Sequence, residues 1–427
     1  MSRYWLPLIT LALCTPLYAA DDLHSIYQTA KQGDPQFRAA EATRLATQEL
    51  AIQARAGYYP SLDLNASTAK NWRSSPGQDG TTRGYTLNLN QPLYRRDTYV
   101  ANQQAKAQVN QAEVNFTAAR QALILRVAQA YFDTLAAQDN LQFAQAEKAS
   151  IERQLEQTKQ RFEVGLIAIT DVHESQAAYD NAVATEIVAE NRLAIAQVAM
   201  EEIINQKIDA LAPLAPTIPL QLPQPADQQH WTEQAEENNK ALSALQQDLV
   251  IAEKAVEAAR SGHYPTLDLR ASHSYSDDTF SQFTGKTTTN LSLQLDVPLY
   301  RGGQTNSQVR QSRHQLNATR EQYEQQRRAV ERQVRSAFLD VTAAISQVKA
   351  LQQALLSSQS ALEASEAGLE VGTRTTVDVL NTRRELYRAK SNLSQAKYGF
   401  IISTLNLKQA AGTLSEEDIN EVNNWLQ

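Results

Sequence analysis

The chain carries nearly the same message twice, about 206 residues apart. Gly57-Tyr-Tyr-Pro-Ser-Leu-Asp-Leu64 returns as Gly262-His-Tyr-Pro-Thr-Leu-Asp-Leu269, and Asn90-Gln-Pro-Leu-Tyr-Arg95 returns as Asp296-Val-Pro-Leu-Tyr-Arg301. Ala130-Tyr-Phe-Asp-Thr-Leu-Ala-Ala137 is matched by Ala337-Phe-Leu-Asp-Val-Thr-Ala-Ala344. Glu163-Val-Gly165 with Thr170-Asp-Val172 is matched by Glu370-Val-Gly372 with Val377-Asp-Val379. A register this steady is a tandem duplication of one structural unit. Each copy runs two strands into a very long helix, and neither looks able to close on itself as a globular domain.

The helices follow from what is missing. Between Pro92 and Pro213 there is no proline and one glycine, Gly165; after Pro298 there is no further proline. Proline removes a donor and clashes in a helix interior, so both stretches can hold uninterrupted helix. Ala101, Ala105, Val109, Ala112, Phe116, Ala119, Leu123, Val127, Tyr131 and Leu135 keep a three-four spacing. Val330, Val334, Phe338, Val341, Ile345, Val348, Leu351 and Leu355 do the same. These are coiled-coil-type stripes rich in small residues. From Thr98 to Phe162 a continuous helix is roughly 100 Å long. Gly165 and Gly372 can supply left-handed caps that end the two long helices. Returning helices follow, so each half is a long helical hairpin. Shorter helices precede the strands, about Leu23–Ala56, with a turn at Gly33-Asp34-Pro35, and Trp231–Arg260.

The strands alternate. Leu62, Leu64 and Ala66 oppose Asp63, Asn65 and Ser67; Tyr85, Leu87 and Leu89 oppose Thr86, Asn88 and Asn90. Leu267, Leu269 and Ala271 oppose Asp268, Arg270 and Ser272; Leu291, Leu293, Leu295 and Val297 oppose Ser292, Gln294 and Asp296. A soluble sheet packed on a core has this pattern, but no separate apolar element is available to cover the leucines. A transmembrane barrel has it too, apolar toward lipid and polar toward a wet lumen. Four strands cannot close such a barrel, and open edges in lipid leave backbone groups unsatisfied. The barrel must therefore be shared, and two, three or four copies give roughly 8, 12 or 16 strands.

Residues 1–20 look like a secretory signal peptide, with Arg3 before a short apolar run. Cys14, the only cysteine, falls inside it, so the mature chain has neither disulfide nor thiolate-bound metal. The rest divides into a first repeat at 21–212, a proline-rich linker at 213–226 and a second repeat at 227–427. The formal net charge of −7, with both signs interspersed, argues against nucleic acid as partner. The enzyme reading is weak. His24, His173, His230, His263, His273 and His314 are scattered without metal-ligand spacing, and phosphate-loop and nucleophile-elbow motifs are absent. No cofactor is expected. Asp171 and Asp378 occupy matched places beside helical turns, which suits capping and gating better than acid–base work. A periplasmic coiled-coil scaffold explains the helices but leaves the four amphipathic strands without a role.

The duplicated unit, Arg161-Phe-Glu-Val-Gly-Leu-Ile-Ala-Ile-Thr-Asp-Val172 and Val371-Gly-Thr-Arg-Thr-Thr-Val-Asp-Val-Leu380 closely resemble the TolC-type outer-membrane efflux family of Gram-negative bacteria. The similarity runs from about Asp21 to the C-terminus. It implies an α+β membrane protein: a homotrimer whose copies share one barrel of about 12 strands, continued by an α-helical barrel across the periplasm. It implies an outer-membrane exit duct that works with an inner-membrane efflux or ABC transporter and a periplasmic adaptor, conducting drugs or proteins outward. The resemblance also implies a gate at the periplasmic helix tips. There Arg374 holds to Gln160, Thr170 and Asp171 on the neighbouring outer hairpin, with Glu366 and Gln154 nearby, and Asp378 forms a ring of three carboxylates in the pore. This chain departs from the family archetype at two constriction positions. Leu369 stands where a tyrosine is found, and Asn381 where a second aspartate ring is found.

Overall fold

The computed structural model describes residues 21–72, 80–208, 210–278 and 285–427; the segment read as a signal peptide, with Cys14, lies outside them. The first half comprises α1 (Leu23–Gly33), α2 (Pro35–Ala56), β1 (Ser61–Asn71), β2 (Gly80–Tyr94), α3 (Arg96–Glu163) and α4 (Ile169–Ile204). The second comprises α5 (Gln228–Asn238), α6 (Lys240–Ser261), β3 (Thr266–Asp278), β4 (Lys286–Asp296), α7 (Gln304–Glu370) and α8 (Thr376–Ala410), closed by α9 (Glu416–Asn423). The long helices α3 and α7 have 68 and 67 residues.

Side chains at the helix breaks explain where the chain bends. Asp34 caps α2, accepting from the Phe37 amide at 3.0 Å, and Pro35 takes the first helical position, where its missing N–H costs nothing. The same break occurs in the second half, where the sequence reading ran one helix from Trp231 to Arg260. Asn239 interrupts it with an extended backbone, caps α6 through the Ala241 and Leu242 amides, and donates its side-chain amide to the Ala410 carbonyl at 2.8 Å. An asparagine without a following proline is a faint sequence signal. The tertiary acceptor on α8 makes the break worthwhile.

The four strands form one antiparallel sheet in the order β1-β2-β3-β4, so β1 and β4 are its edges. Cross-strand rows continue the alternation across the whole sheet. Leu62, Leu89, Ala271 and Leu291 share one row, and Ala66, Tyr85, Tyr275 and Thr287 share another on the same face. Tyr85 stacks on Tyr275 with ring centroids 5.8 Å apart. No core covers the leucines: Leu64 is 67% exposed and Leu291 73%. A soluble sheet packed on a core is thereby excluded. Among the described residues no helix is long and apolar enough to cross a membrane.

The main hydrophobic core sits partway along the helices, not at the sheet. Leu23, Tyr27, Leu123, Tyr131, Phe132, Val334, Val341, Ile401 and Leu405 are buried there. The stripes on α3 and α7 supply its walls, and α1, α5 and α9 pack around it. The linker lies outside the helices, as a segment rich in proline must, yet it is strapped down. Leu214 bridges to Leu426, the Ala215 amide donates to the Trp425 carbonyl at 2.8 Å, and Tyr131 donates its hydroxyl to the Ala212 carbonyl at 2.8 Å. The short α9, not expected from sequence, holds this strap. Lys408 bonds Asp418 at 2.5 Å and Tyr27 donates to Glu416 at 3.0 Å.

Candidate functional site

The tips of the two hairpins lie at the far end of α3 and α7 from the sheet, and both turns have the same construction. Gly165 (φ 77°) and Gly372 (φ 78°) adopt the left-handed conformation that L side chains resist. The Gly165 amide donates to the Phe162 carbonyl at 2.8 Å and the Leu166 amide to Arg161 at 2.9 Å; Gly372 and Thr373 repeat this onto Leu369 and Gly368. These paired bonds are the Schellman closure of a helix end. Beyond the turn the copies differ. Thr375 caps α8 and exchanges bonds with Asp378, whose carboxylate accepts from the Thr375 amide and hydroxyl at 2.9 Å each. In the first copy the capping position is Ala168, which has no side-chain bond to give, so Asp171 lies in the first turn of α4 without a reciprocal cap. The capping expectation therefore holds for Asp378 alone.

The Thr375 bonds hold the Asp378 carboxyl below its ordinary value, with Arg374 adding a smaller pull. A depressed carboxylate stabilises above the unfolded-state value of 3.8 and loses that contribution only as pH falls through its lower folded value. Asp378 is therefore charged, and its cap intact, throughout the neutral and mildly acidic range. Asn381 lies one turn further along α8 and is exposed.

An open cleft between the two hairpins brings together Gln154, Gln160, Glu366 and Leu369 with Val164 and Arg383. Arg383 was not anticipated from the sequence, and it is the side chain that ties the hairpins here. It is 9% exposed, donates to Glu366 at 2.5 Å and reaches the Ser150 carbonyl on α3 at 3.1 Å. Gln160 bonds Glu156 on its own helix at 3.2 Å. Arg374, Thr170 and Asp171 are not drawn into this cleft. Arg374 folds back over Gly368, where its aliphatic part occupies the space a Cβ would need. Among the described residues no hydrogen bond joins Arg374 to Gln160, Thr170 or Asp171 within one chain.

Arg383 is the last rung of a polar seam between α8 and α3. Tyr398 donates to Asp139 at 2.8 Å and Tyr387 to the Ala146 carbonyl at 3.1 Å, while Ser394 and Ser391 bond Asp139 and Asn140. Positions 383, 387, 391, 394 and 398 recur at helical spacing, so they share one face of α8. A second contact near the tips is apolar. Leu380 of α8 packs with Ile151 of α3 and Ala178 and Ala182 of α4. The inner hairpin is thus held to the outer one by one small apolar cluster and a row of hydrogen bonds, a junction far thinner than the main core.

A duplicated sheet-plus-hairpin chain with an uncovered leucine face and polar helix tips defines a channel-forming outer-membrane protein. The sequence matches the outer membrane efflux protein family over residues 26–206 and 231–413, one match in each repeat. The chain is 40% identical to outer membrane protein TolC of Vibrio cholerae, over 96% of this chain and 94% of that protein. It is 37% identical to TolC of Escherichia coli, over 98% of this chain and 87% of that protein. The alkaline protease secretion protein AprF of Pseudomonas aeruginosa is 29% identical over 93% of this chain and 85% of that protein. Among solved structures, the CusC channel superposes with a TM-score of 0.80 at 17% identity, covering 92% of each chain. VceC of Vibrio cholerae superposes at 0.76 and 19% identity, over 91% of this chain and 96% of that one. The chain belongs to the outer membrane efflux protein family: it is an outer-membrane exit duct with a periplasmic helical part.

Proposed function

We propose that the duct is a homotrimer gated at its periplasmic helix tips. It would receive cargo from an inner-membrane efflux or ABC transporter through a periplasmic adaptor. The observation that carries the oligomer is the sheet. Its four strands leave β1 and β4 each with an open outer edge while one face is apolar and uncovered, and in lipid an open edge strands a row of backbone donors and acceptors. Copies of the same chain provide matching edges, and three copies give a closed barrel of about 12 strands. The likeness to a protease secretion protein supports protein cargo, and membership of an efflux protein family supports a role in efflux. An exit duct takes what the transporter has already selected, so its lumen need not encode specificity.

The gate follows from the same symmetry. Arg374, exposed and unbonded to the outer hairpin of its own chain, is free to meet Gln160, Thr170 and Asp171 of the neighbouring copy. Arg383, bonded to Glu366 and to the Ser150 carbonyl, holds the inner hairpin from within, with Gln154 lining the same cleft. Asp378 then supplies the ring of carboxylates at the constriction, with Asn381 and Leu369 beside it. Native mass spectrometry of the detergent-solubilised protein tests the assembly. The expected species is a trimer, and a monomer retaining barrel structure would rule the reading out.

A further inference from the structure

Equivalent residues at the two ends of the sheet differ in what surrounds them, and the difference marks where a strand is missing. At the end of β2, Leu93 and Tyr94 are 53% and 45% exposed; their counterparts after β4, Leu299 and Tyr300, are 92% and 87% exposed. β2 extends to Tyr94 because β3 pairs with it as far as Leu267, whereas β4 stops at Asp296 with nothing beyond it. The same contrast holds for charge. Asp268 is 3% exposed because Arg95 clamps it with two bonds, Nε to Oδ1 at 2.9 Å and Nη2 to Oδ2 at 2.8 Å. Asp63 is the repeat counterpart of Asp268 and Arg301 that of Arg95, and both are exposed. Neither forms an ion pair among the described residues. They lie at opposite edges of the sheet, three strand spacings or roughly 14 Å apart at the least, so they cannot meet within one chain.

We propose that Arg301 of one copy clamps Asp63 of the next across the β4–β1 seam, as Arg95 clamps Asp268 inside the chain. The inference rests on the trimeric reading above and adds to it the register of the seam and the residues that fix it. Carrying the observed β2–β3 pairing over by the repeat sets Asp296 opposite Asn65, Gln294 opposite Ser67, Pro298 opposite Asp63 and Tyr300 opposite Leu62. Leu295 then faces Ala66, both on the apolar side, so the leucine face continues unbroken around the barrel. A slip of one residue would turn the leucines of β1 into the lumen. Arginine suits the role because its planar fork binds a carboxylate through two parallel bonds, which fixes geometry as well as charge. The copies differ in one respect. Arg95 is the capping residue of α3, whereas Arg301 is followed by Gly302 and Gly303, both left-handed and with open space where a Cβ would stand. Arg301 is therefore not committed to a helix and can turn toward a partner as the seam closes.

The test is a charge exchange read on the purified assembly. Asp63→Arg and Arg301→Asp, singly, are expected to abolish the SDS-resistant trimer and lower its dissociation temperature; the two together are expected to restore both. A variant with native charges at the clamp, Ser67→Cys with Gln294→Cys, is expected to yield covalently linked chains on oxidation, and it tests the register even where a charge reversal prevents assembly. A trimer by native mass spectrometry, with neither rescue nor cross-linking, overturns the clamp and leaves the trimer standing. A different copy number in the unmodified protein overturns the trimer itself.

Discussion

Asp34 shows how much a single side chain can do in a chain made mostly of long helices. It is 2% exposed, caps α2 through two backbone amides and forms an ion pair with Arg126 of α3. One carboxylate thereby sets the direction of α2 and ties it to the long helix. Arg126 stays one-third exposed, so water can serve it when the partner is removed. Asp34→Ala is therefore expected to cost about 2 kcal/mol, one part for the lost cap and one for the broken pair. The check is the thermal midpoint of the detergent-solubilised protein. Asp34→Asn keeps the cap and is expected to lose roughly half as much. Glycines are used with similar economy. A Cβ on Gly33 would come within 2.5 Å of the Ile204 carbonyl, and in the second repeat the crowding is reversed, with Gly412 lying against the Asn238 carbonyl. Each half needs a glycine where the α2 or α6 break meets the end of its returning helix, and each places it on a different partner.

At the scale of elements, the consequential joint is that between the hairpins. The pair α7 and α8 is continuous with the core above but is bonded to α3 and α4 near the tips through Leu380, Arg383 and the seam of hydroxyl and carbonyl bonds. A short row of hydrogen bonds can break and re-form together more readily than a packed core, so movement is expected at the tips. Arg383→Ala removes the bond to Glu366 and the bond to the Ser150 carbonyl together. It is expected to favour the open tip and to raise the single-channel conductance in planar bilayers several-fold. Arg374→Ser, acting on the proposed contact between copies, is expected to raise it too. With the two substitutions on different joints, their combined effect should exceed either alone. Unchanged conductance in Arg383→Ala would show that the seam does not hold the resting state.

For the whole molecule, the symmetry of the proposed trimer would convert modest features of one chain into a pore. In the proposed trimer, three Asp378 carboxylates brought near one axis would repel each other, and a multivalent cation bound among them would relieve that repulsion. With Asn381 where the family archetype places a second acidic ring, block by cations added on the periplasmic side is expected to be weaker than in a duct with both rings. Asp378→Ala should abolish the block and Asn381→Asp should strengthen it, in single-channel recordings at fixed ionic strength. Block of Asp378→Ala equal to that of the unmodified protein would place the cation elsewhere and leave Asp378 as a capping residue alone.

The duplication, the long uninterrupted helices, the alternating strands and the two glycine turns were all legible in the sequence, because each depends on local rules. Proline excludes helix, alternation of period two makes a two-faced strand, and positive φ selects glycine. The break at Asn239, the strap formed by the linker and α9, and the Arg383 bridge were not legible. Each takes its stability from a partner far away in the chain: Ala410 for Asn239, Trp425 for Ala215, Ser150 for Arg383. The two copies of the repeat even look alike where they behave differently. Asp171 and Asp378 occupy matching positions, yet only Thr375 is there to complete a cap, and Asp63 and Asp268 sit in the same motif, yet only Asp268 has an arginine within reach. The sequence could say that these groups were equivalent. Only the tertiary structure decided which of them are already satisfied within one chain, because that depends on which edges and faces the fold leaves uncovered.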